Sequence, residues 1–216
     1  MDERIRELER RADQGDVAAA TELLQHRLRT GESSEQAVLI LARLGDPAAT
    51  ALFPDHERET LHETYPELVA LDPVFALRAL CTAIAVGLPL LERWVPEVPG
   101  VVHALHSTER WLARRDEESL LLARDSVAAA REAVNQINSQ LLGRYRIAQI
   151  SGSQMRALEY VAWTSRDAAE GVVHASVGAA PAGDSLIRLV GLWKEAGWGD
   201  LRQTLRSALE PTLRAS

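Results

Sequence analysis

Histidines and carboxylates at helical spacing are the residues most able to do chemistry in this chain. Glu59-Thr-Leu-His62 has the Glu-x-x-His spacing of carboxylate-bridged metal bundles. Such bundles need two of these motifs and two further glutamates pointing inward, and the sequence offers one motif, in a polar segment. His103 and His106 lie one turn apart but lack the i,i+4 histidine pair with its intervening glutamate that zinc peptidases use. The spacing therefore predicts no metal site and no cofactor.

Candidates for a nucleophile or a general base are equally sparse. Cys81 is the single cysteine, so no intramolecular disulfide can form, and its apolar neighbours favour a buried thiol that behaves as a small hydrophobe in a reducing compartment. His174 stands among valines and alanines, which favours a histidine tucked between helices and bonded to the backbone over a general base. The sequence lacks a phosphate-binding loop and a nucleophile elbow. We therefore expect a non-enzymatic protein.

Charge is concentrated in one segment. The formal net charge of −7 argues against nucleic acid as the main partner, because phosphate binding needs a basic face. Between Asp46 and Asp72 there are seven acids and one base, so this stretch carries −6 and the remaining chain −1. We call residues 54–71 the acidic joint and predict that it contacts a protein partner with a basic surface; the alternative is a solvated linker. Its candidate contact residues are Asp55, Glu57, Glu59, Glu63 and Glu67.

Two further places are candidate contact sites. Arg144, Tyr145 and Arg146, with Arg156 nearby, form a small basic and aromatic cluster that could meet an acidic partner or RNA. An exposed loop between helices is the simpler interpretation of that cluster. Trp198 stands between two glycines and is the tryptophan expected to be exposed. Trp198, Arg144 and Arg146 complete the set of predicted partner-binding residues.

The helix expected to position everything else runs from Asp72 to Arg93. Asp72 followed by Pro73 is typical of a helix start. Apolar residues then occupy nearly every face, as in a helix at the centre of a core or in a membrane. Arg78 and Pro89 argue against a membrane span, and Pro89 predicts a kink or a break.

A weak internal repeat precedes that helix. Gly-Asp-Val-Ala-Ala at 15–19 recurs thirty residues later as Gly-Asp-Pro-Ala-Ala at 45–49. A period of about thirty with paired short helices is typical of helical hairpin repeats, although a chance match of two caps followed by alanines remains an alternative. Two copies are too few to be stable alone, so we expect them to dock on the rest of the chain.

Small residues dominate the helices that follow. A helix beginning at Asp116 carries a seven-residue repeat and is expected to end at Gly143. The next helix, capped by Ser151 or Ser153, presents a small-residue face that should complement it, and Asp184 is expected to cap another. The residues that form the two faces are Leu120, Ala123, Val127, Ala130, Val134, Ile137 and Leu141 on the first helix and Leu158, Ala162, Ser165, Ala169, Val172 and Ser176 on the second.

No period-two, β-branched run is present, so the sequence predicts an all-α fold of short N-terminal hairpins docked on an antiparallel helical bundle. The expected divisions are a hairpin module at 1–53, the acidic joint at 54–71 and an alanine-rich bundle at 72–216. The start, MDERIRELERR, is charged where a signal peptide needs an apolar core, which predicts a cytoplasmic protein.

Two stretches resemble known families. ELERRADQGDVAAATELLQHRLRTGE with LARLGDPAAT is similar to the short helical repeat-companion module of bacterial proteins. FALRALCTAIAVGLPLLERWVPEVPGVVHALHSTERWL resembles a helical family of immunity proteins from bacterial polymorphic toxin systems, and the likeness continues to about residue 177. The shared features are the cysteine in the apolar helix, the Leu-Pro-Leu-Leu-Glu ending, the proline turn and Trp111. This chain departs from the family in having fewer alanines and a single histidine, His174, in the later small-residue helix.

These likenesses imply a role in binding a protein partner rather than in catalysis, since the shared motifs are structural. The sequence therefore predicts an immunity-type inhibitor of a bacterial toxin, with no nucleic-acid or membrane partner. The alternatives are an adaptor or scaffold module of a bacterial multi-protein system, and a metal- or histidine-dependent enzyme in a helical bundle.

Overall fold

The protein is all-α, as its sequence predicts. The computed structural model describes residues 3–54 and 61–214; it is 82% helical, and no strand occurs among these residues. Contacts divide the chain into two units, one formed by Met1–Glu67 with Leu205–Ser216 and the other by Leu68–Thr204. The C-terminal segment, which the sequence analysis assigned to the bundle, groups with the N-terminal helices.

The first unit consists of short helices. Leu8, Ala19 and Leu23 form the contact between its first two helices, with Ile5 and Ala12 packed against them. The helices of this unit are α1 (Glu3–Asp13), α2 (Val17–Thr30), α3 (Glu35–Arg43), α4 (Pro47–Leu52) and the first part of α5 (Leu61–Leu71), joined by the greater part of α11 (Leu201–Leu213).

The two copies of the repeat build the same turn. Gly15 and Gly45 both adopt left-handed backbone conformations, with φ of 86° and 80°, which glycine reaches without steric cost. Asp16 and Asp46 then cap α2 and α4, each accepting a hydrogen bond from the N–H three residues later, at 3.1 and 2.8 Å. The repeat in the sequence therefore corresponds to a repeat in backbone geometry.

The two capping aspartates differ in their ion pairs. Asp16 pairs with Arg11 of the preceding helix, 2.5 Å away, and its side chain is 34% exposed. Asp46 pairs with Arg214, 2.9 Å away at the end of α11, and its side chain is 4% exposed. The Ser33 hydroxyl donates to the Arg214 carbonyl at 2.7 Å. The first capping aspartate is thus paired with an arginine of the neighbouring helix α1, whereas the second is paired with an arginine at the C-terminal end of the chain.

We expect Asp46→Ala to lower the free energy of unfolding of the first unit by about 1–2 kcal/mol, because it removes a helix cap and one partner of a buried ion pair. Arg214 keeps Glu210 as a second partner at 2.9 Å, which limits the loss. Asp16→Ala is the matched control, with the same cap but a half-buried carboxylate, and its effect should be smaller. Urea unfolding of both variants measures the difference, and equal midpoints would show that the Arg214 pair contributes nothing.

The second unit is a bundle of longer helices. Within it, α9 contacts α6, α7, α8 and α10. Its helices are the end of α5, then α6 (Pro73–Trp94), α7 (Pro99–Arg114), α8 (Glu117–Arg146), α9 (Gly152–Ser176), α10 (Asp184–Glu195) and the first turn of α11.

The centre of the bundle is α9, so the prediction that the most apolar helix is central was wrong. Small side chains allow neighbouring helices to approach α9 closely on several sides. In contrast, α6 keeps one exposed stripe along its length. The stripe contains Arg78, Ala85, Pro89 and Glu92, and the small buried residues of α9 are Ala157, Ala162, Ala168, Ala169 and Gly171.

Helix α6 continues through Pro89, so the expected break does not occur. Pro89 and Ala85, whose carbonyl loses its helical donor, both lie on the exposed stripe, where water can satisfy that carbonyl. Asp72 accepts from the Val74 N–H at 2.9 Å and Pro73 follows it, which confirms the predicted helix start. In the described chain α6 is the one helix long and apolar enough to cross a membrane, with a hydropathy of 2.1, and 61% of that window is buried inside the protein.

Helix α8 also runs past a predicted end. It continues through Gly143 to Arg146, because a glycine inside a helix weakens it without forcing a turn. Its buried face is rotated slightly from the predicted seven-residue repeat: Leu120 and Val127 are half-buried, and Ser119 and Ser126 are buried in their place. Ser126 lies where α8 meets α7, since the Ser107 hydroxyl donates to its hydroxyl at 2.8 Å.

Three helices meet at their alanines. Ala104 of α7, Ala130 of α8 and Ala169 of α9 are fully buried against one another. Gly100 lies close to α8 as well, since a Cβ added there would clash with the Ala129 carbonyl oxygen and lie 2.8 Å from Ala133 Cβ. The predicted match between small-residue faces is therefore present and includes a third helix.

Candidate functional site

The acidic joint lies only partly within the described chain. Asp55, Glu57 and Glu59 fall outside the described residues, and so does the side chain of Glu63. The predicted Glu59–His62 motif is outside as well. The charge of this stretch is a property of the sequence, with four acids and one base in residues 55–63 and hence a formal charge of −3.

Glu67 and the two flanking aspartates already have structural partners. Glu67 forms an ion pair with Arg43 of α3, and its side chain is 36% exposed. The Gln36 amide donates to the Glu67 backbone carbonyl at 3.4 Å, so both contacts join α5 to α3. Asp46 and Asp72 cap helices. Recognition by the joint would therefore depend mainly on the four acids of residues 55–63.

Arg144 and Arg146 lie in the last turn of α8, where the chain reverses into α9. We call residues 142–156 the basic corner. The turn includes Ala148 at φ 54°, an uncommon conformation for a residue with a Cβ. Ile150, 4% exposed, anchors the turn, and Ser151 closes it with the predicted cap, reinforced by Gln154 in a capping box.

The basic corner exposes apolar as well as cationic side chains. Ile147 is 65% exposed and Tyr145 is 45% exposed. Arg146 is exposed, whereas Arg144 is half-buried and donates from Nη1 to Gln149 Oε1 at 3.0 Å. Of these two arginines, Arg146 is therefore the better placed to meet a partner.

Trp198 is half-buried, contrary to the expectation that it is exposed. Its ring meets Trp193 edge-on, with centroids 5.0 Å apart and planes at 70°. The Trp193 Nε1–H donates to the Trp198 carbonyl at 3.0 Å. The flanking glycines, at φ of 79° and 90°, turn the chain so that the two indoles pack together.

The histidines do not assemble a site in the described chain. His103 and His106 are exposed on α7, and His174 is exposed rather than tucked between helices. His174 occupies the outward edge of α9 beside Arg131 and Glu170, which are ion-paired at 2.8 Å. Among the described residues no group of three or more histidine, cysteine or acidic side chains could hold a metal ion.

Cys81 is buried, as predicted. Burial raises the pKa of its thiol far above the usual range, and the nearby Glu109 carboxylate adds to the effect. The thiolate is therefore disfavoured at neutral pH, and with it the reactive form of the residue.

One buried carboxylate, that of Asp167, was not among the residues predicted from the sequence. Asp167 of α9 is 2% exposed. It accepts from the Ser185 hydroxyl at 2.5 Å and from Arg166 at 2.7 Å. The Arg166 guanidinium also stacks over the Trp163 ring, 4.3 Å from its centroid. Ser185 is in the first turn of α10, whose cap position is Gly183 rather than the predicted Asp184. Asp167 therefore ties α10 to α9.

A shallow groove of about 230 Å³ separates the α6–α7 turn from α8. Its floor includes Val98 and Ile137, and Glu97, His103 and Glu132 stand at its rim. All three rim residues are exposed. The groove thus lacks the desolvated polar group that usually orients a small ligand.

Comparisons with protein-family profiles, with curated proteins and with solved structures found no match to this chain. The two family likenesses seen in the sequence remain predictions.

Proposed function

We propose that this protein is a non-enzymatic, immunity-type inhibitor that binds a bacterial toxin through the acidic joint. The observation that carries the proposal is the concentration of charge, −6 between Asp46 and Asp72 in a chain of −7. Glu67, Asp46 and Asp72 are used within the fold, so the proposal rests on the formal charge of −3 that the sequence places in residues 55–63. Toxins that cut nucleic acids need basic clefts to bind phosphate, and an acidic segment is complementary to such a cleft.

Charge complementarity would raise the rate of association between the inhibitor and the toxin as well as the specificity of binding. Oppositely charged surfaces raise association rates from about 10⁵–10⁶ M⁻¹s⁻¹ toward about 10⁸–10⁹ M⁻¹s⁻¹ at low salt. Fast association suits an inhibitor that must capture a toxin before the toxin reaches its substrate. The rate should fall as salt rises, because exposed charges are screened beyond the Debye length of about 8 Å at physiological ionic strength.

An adaptor role is the second candidate, and the repeated hairpin geometry favours it. Helical hairpin repeats commonly present extended surfaces for protein partners, and the 15–19 and 45–49 turns share one backbone geometry. An adaptor would bind through the faces of α1–α4, so its binding should survive changes in the acidic joint.

Reversing Glu57, Glu59 and Glu63 to Lys is expected to leave the fold intact and to raise the dissociation constant at least about tenfold, a loss of about 1.4 kcal/mol of binding free energy. Less partner should then be recovered. The measurement is quantitative affinity purification from the native organism with wild-type and variant chains. The purified partner then allows association rates to be followed against salt concentration.

The matched control reverses three exposed acids elsewhere, Glu92, Asp125 and Glu195, and so makes the same change in net charge. It should recover the partner as wild type does. Equal recovery by the triple joint variant would mean that the acidic joint is a solvated linker, and it would favour binding through the hairpins.

A further inference from the structure

The basic corner belongs to a long stretch without acids. Residues 133–158 contain three arginines and no aspartate or glutamate, so this stretch carries +3. The rest of the chain has 21 bases and 31 acids and therefore carries −10. The three arginines are Arg144, Arg146 and Arg156. Against a strongly acidic background, the corner is the place where positive charge accumulates.

Apolar side chains are exposed at the same place. Leu142, Tyr145 and Ile147 are 38%, 45% and 65% exposed. They are half of the large hydrophobic side chains that are exposed in the described chain; the others, Val17, Leu121 and Val177, are scattered. Exposed tyrosine, isoleucine and arginine together are typical of protein interfaces, where aromatic residues and arginine are enriched.

The charge balance disfavours a nucleic acid or an anionic membrane as the occupant. Both are extended polyanions, so they would meet a chain that carries −10 outside the corner. Leu142 and Ile147 would also gain little from contact with the phosphates or bases of a nucleic acid. A compact acidic patch on a protein avoids this repulsion, because it needs to approach the corner alone.

We propose that the basic corner binds the acidic joint of a second copy of this chain. The corner carries +3 and residues 55–63 carry −3, so the two segments match in magnitude and are opposite in sign. Each chain carries both segments, so a second copy offers the segment of opposite charge. The inference uses the same acidic joint as the proposed function but requires no toxin. A toxin would compete with the second copy, and self-association would regulate access to the joint.

The first test is sedimentation equilibrium of the full chain at about 0.05 M and about 1 M salt. Wild type should associate reversibly at low salt and become monomeric at about 1 M, where the Debye length is about 3 Å. Ile147→Asp should raise the dissociation constant at least about tenfold. The matched control is Leu121→Asp, which changes an exposed apolar residue near the start of α8. Leu121 lies about 36 Å along the helix from Tyr145, at 1.5 Å per residue. This variant should associate as wild type does.

A mixing experiment tests the pairing itself. Arg146→Glu with Arg156→Glu makes the corner acidic, and Glu57→Lys, Glu59→Lys and Glu63→Lys make the joint basic. Each variant alone should be monomeric, because its corner and joint then repel. An equimolar mixture should associate, because each corner meets a joint of opposite sign. Circular dichroism of each variant verifies that it is folded.

Several results would overturn the inference: a monomeric wild type at low salt, association that survives Ile147→Asp, equal weakening by Leu121→Asp, or a mixture that stays monomeric. Binding of the monomer to phosphatidylserine vesicles would assign the corner to lipid instead. The proposed function is judged separately, because toxin recovery by the Arg146→Glu, Arg156→Glu variant does not depend on self-association.

Discussion

Replacing Asp167 with alanine is expected to destabilise the bundle by about 2–4 kcal/mol. The substitution removes the buried acceptor of the Ser185 hydroxyl, which is itself 4% exposed, and the nearest carboxylate of Arg166. Arg166 would retain Glu170 at 3.8 Å and the Trp163 ring. The loss of unfolding free energy should therefore be smaller than if the Arg166 guanidinium were left without any partner.

Asp184→Ala is the matched control, because Asp184 is an exposed aspartate in the first turn of the same helix, α10. Its carboxylate gains from the helix dipole, so its loss should cost about 0.3–1 kcal/mol. Thermal and urea unfolding of both variants give the comparison. Similar effects for the two substitutions would mean that Asp167 does not hold α10 on α9.

Ala130→Leu is expected to destabilise the bundle by about 2–3 kcal/mol, because the extra carbons must enter the point where three helices touch. Ala130 is 0% exposed and lies against Ala104 and Ala169, which are also fully buried. Neither α7 nor α9 can make room for the larger side chain without moving away from α8. The melting temperature should fall accordingly.

Ala128→Leu on the exposed side of α8 provides the control, since it adds the same carbons facing solvent. It should leave the melting temperature nearly unchanged. If both variants melt alike, the contact among the three alanines is looser than described, and the close approach of the helices would need another explanation.

Local signals predicted several helix starts. Asp16, Asp46, Asp116 and Ser151 cap helices through their side chains, as expected from residues that accept from free N–H groups. Helix ends were less predictable. Pro89 was expected to kink or break its helix and Gly143 to end its helix. No break occurs at Pro89 and α8 continues past Gly143, because both residues lie on exposed faces, where a lost bond or a missing side chain costs little.

The identity of the central helix could not be derived from hydropathy. A helix at the centre of a bundle needs small residues on several faces more than it needs large apolar ones, so α9 occupies that position although it carries Glu159, Arg166 and Glu170 along one edge. Side-chain contacts between helices could not be predicted from the sequence either. Glu67 meets Arg43 and Asp167 meets Ser185 only after the helices pack, since residues far apart in sequence form both contacts.

The sequence predicted where the charged residues of the candidate site lie, but not which side chains around them are exposed. The sequence located the acidic joint and the arginines of the basic corner, because formal charge is additive along the chain. It did not predict that Leu142 and Ile147 are exposed beside those arginines, or that Trp198 packs against Trp193. Exposure depends on which face of each helix meets its neighbours, and that is settled by the whole bundle.

The measurement that tests the central claim most directly is a growth assay in a bacterial host that expresses the partner recovered by affinity purification. The partner alone should arrest growth, co-expression of the wild-type chain should restore it, and the Glu57→Lys, Glu59→Lys, Glu63→Lys variant should fail to restore it despite normal folding. A partner that is harmless on its own, or a triple variant that protects as well as wild type, would contradict inhibition through the acidic joint.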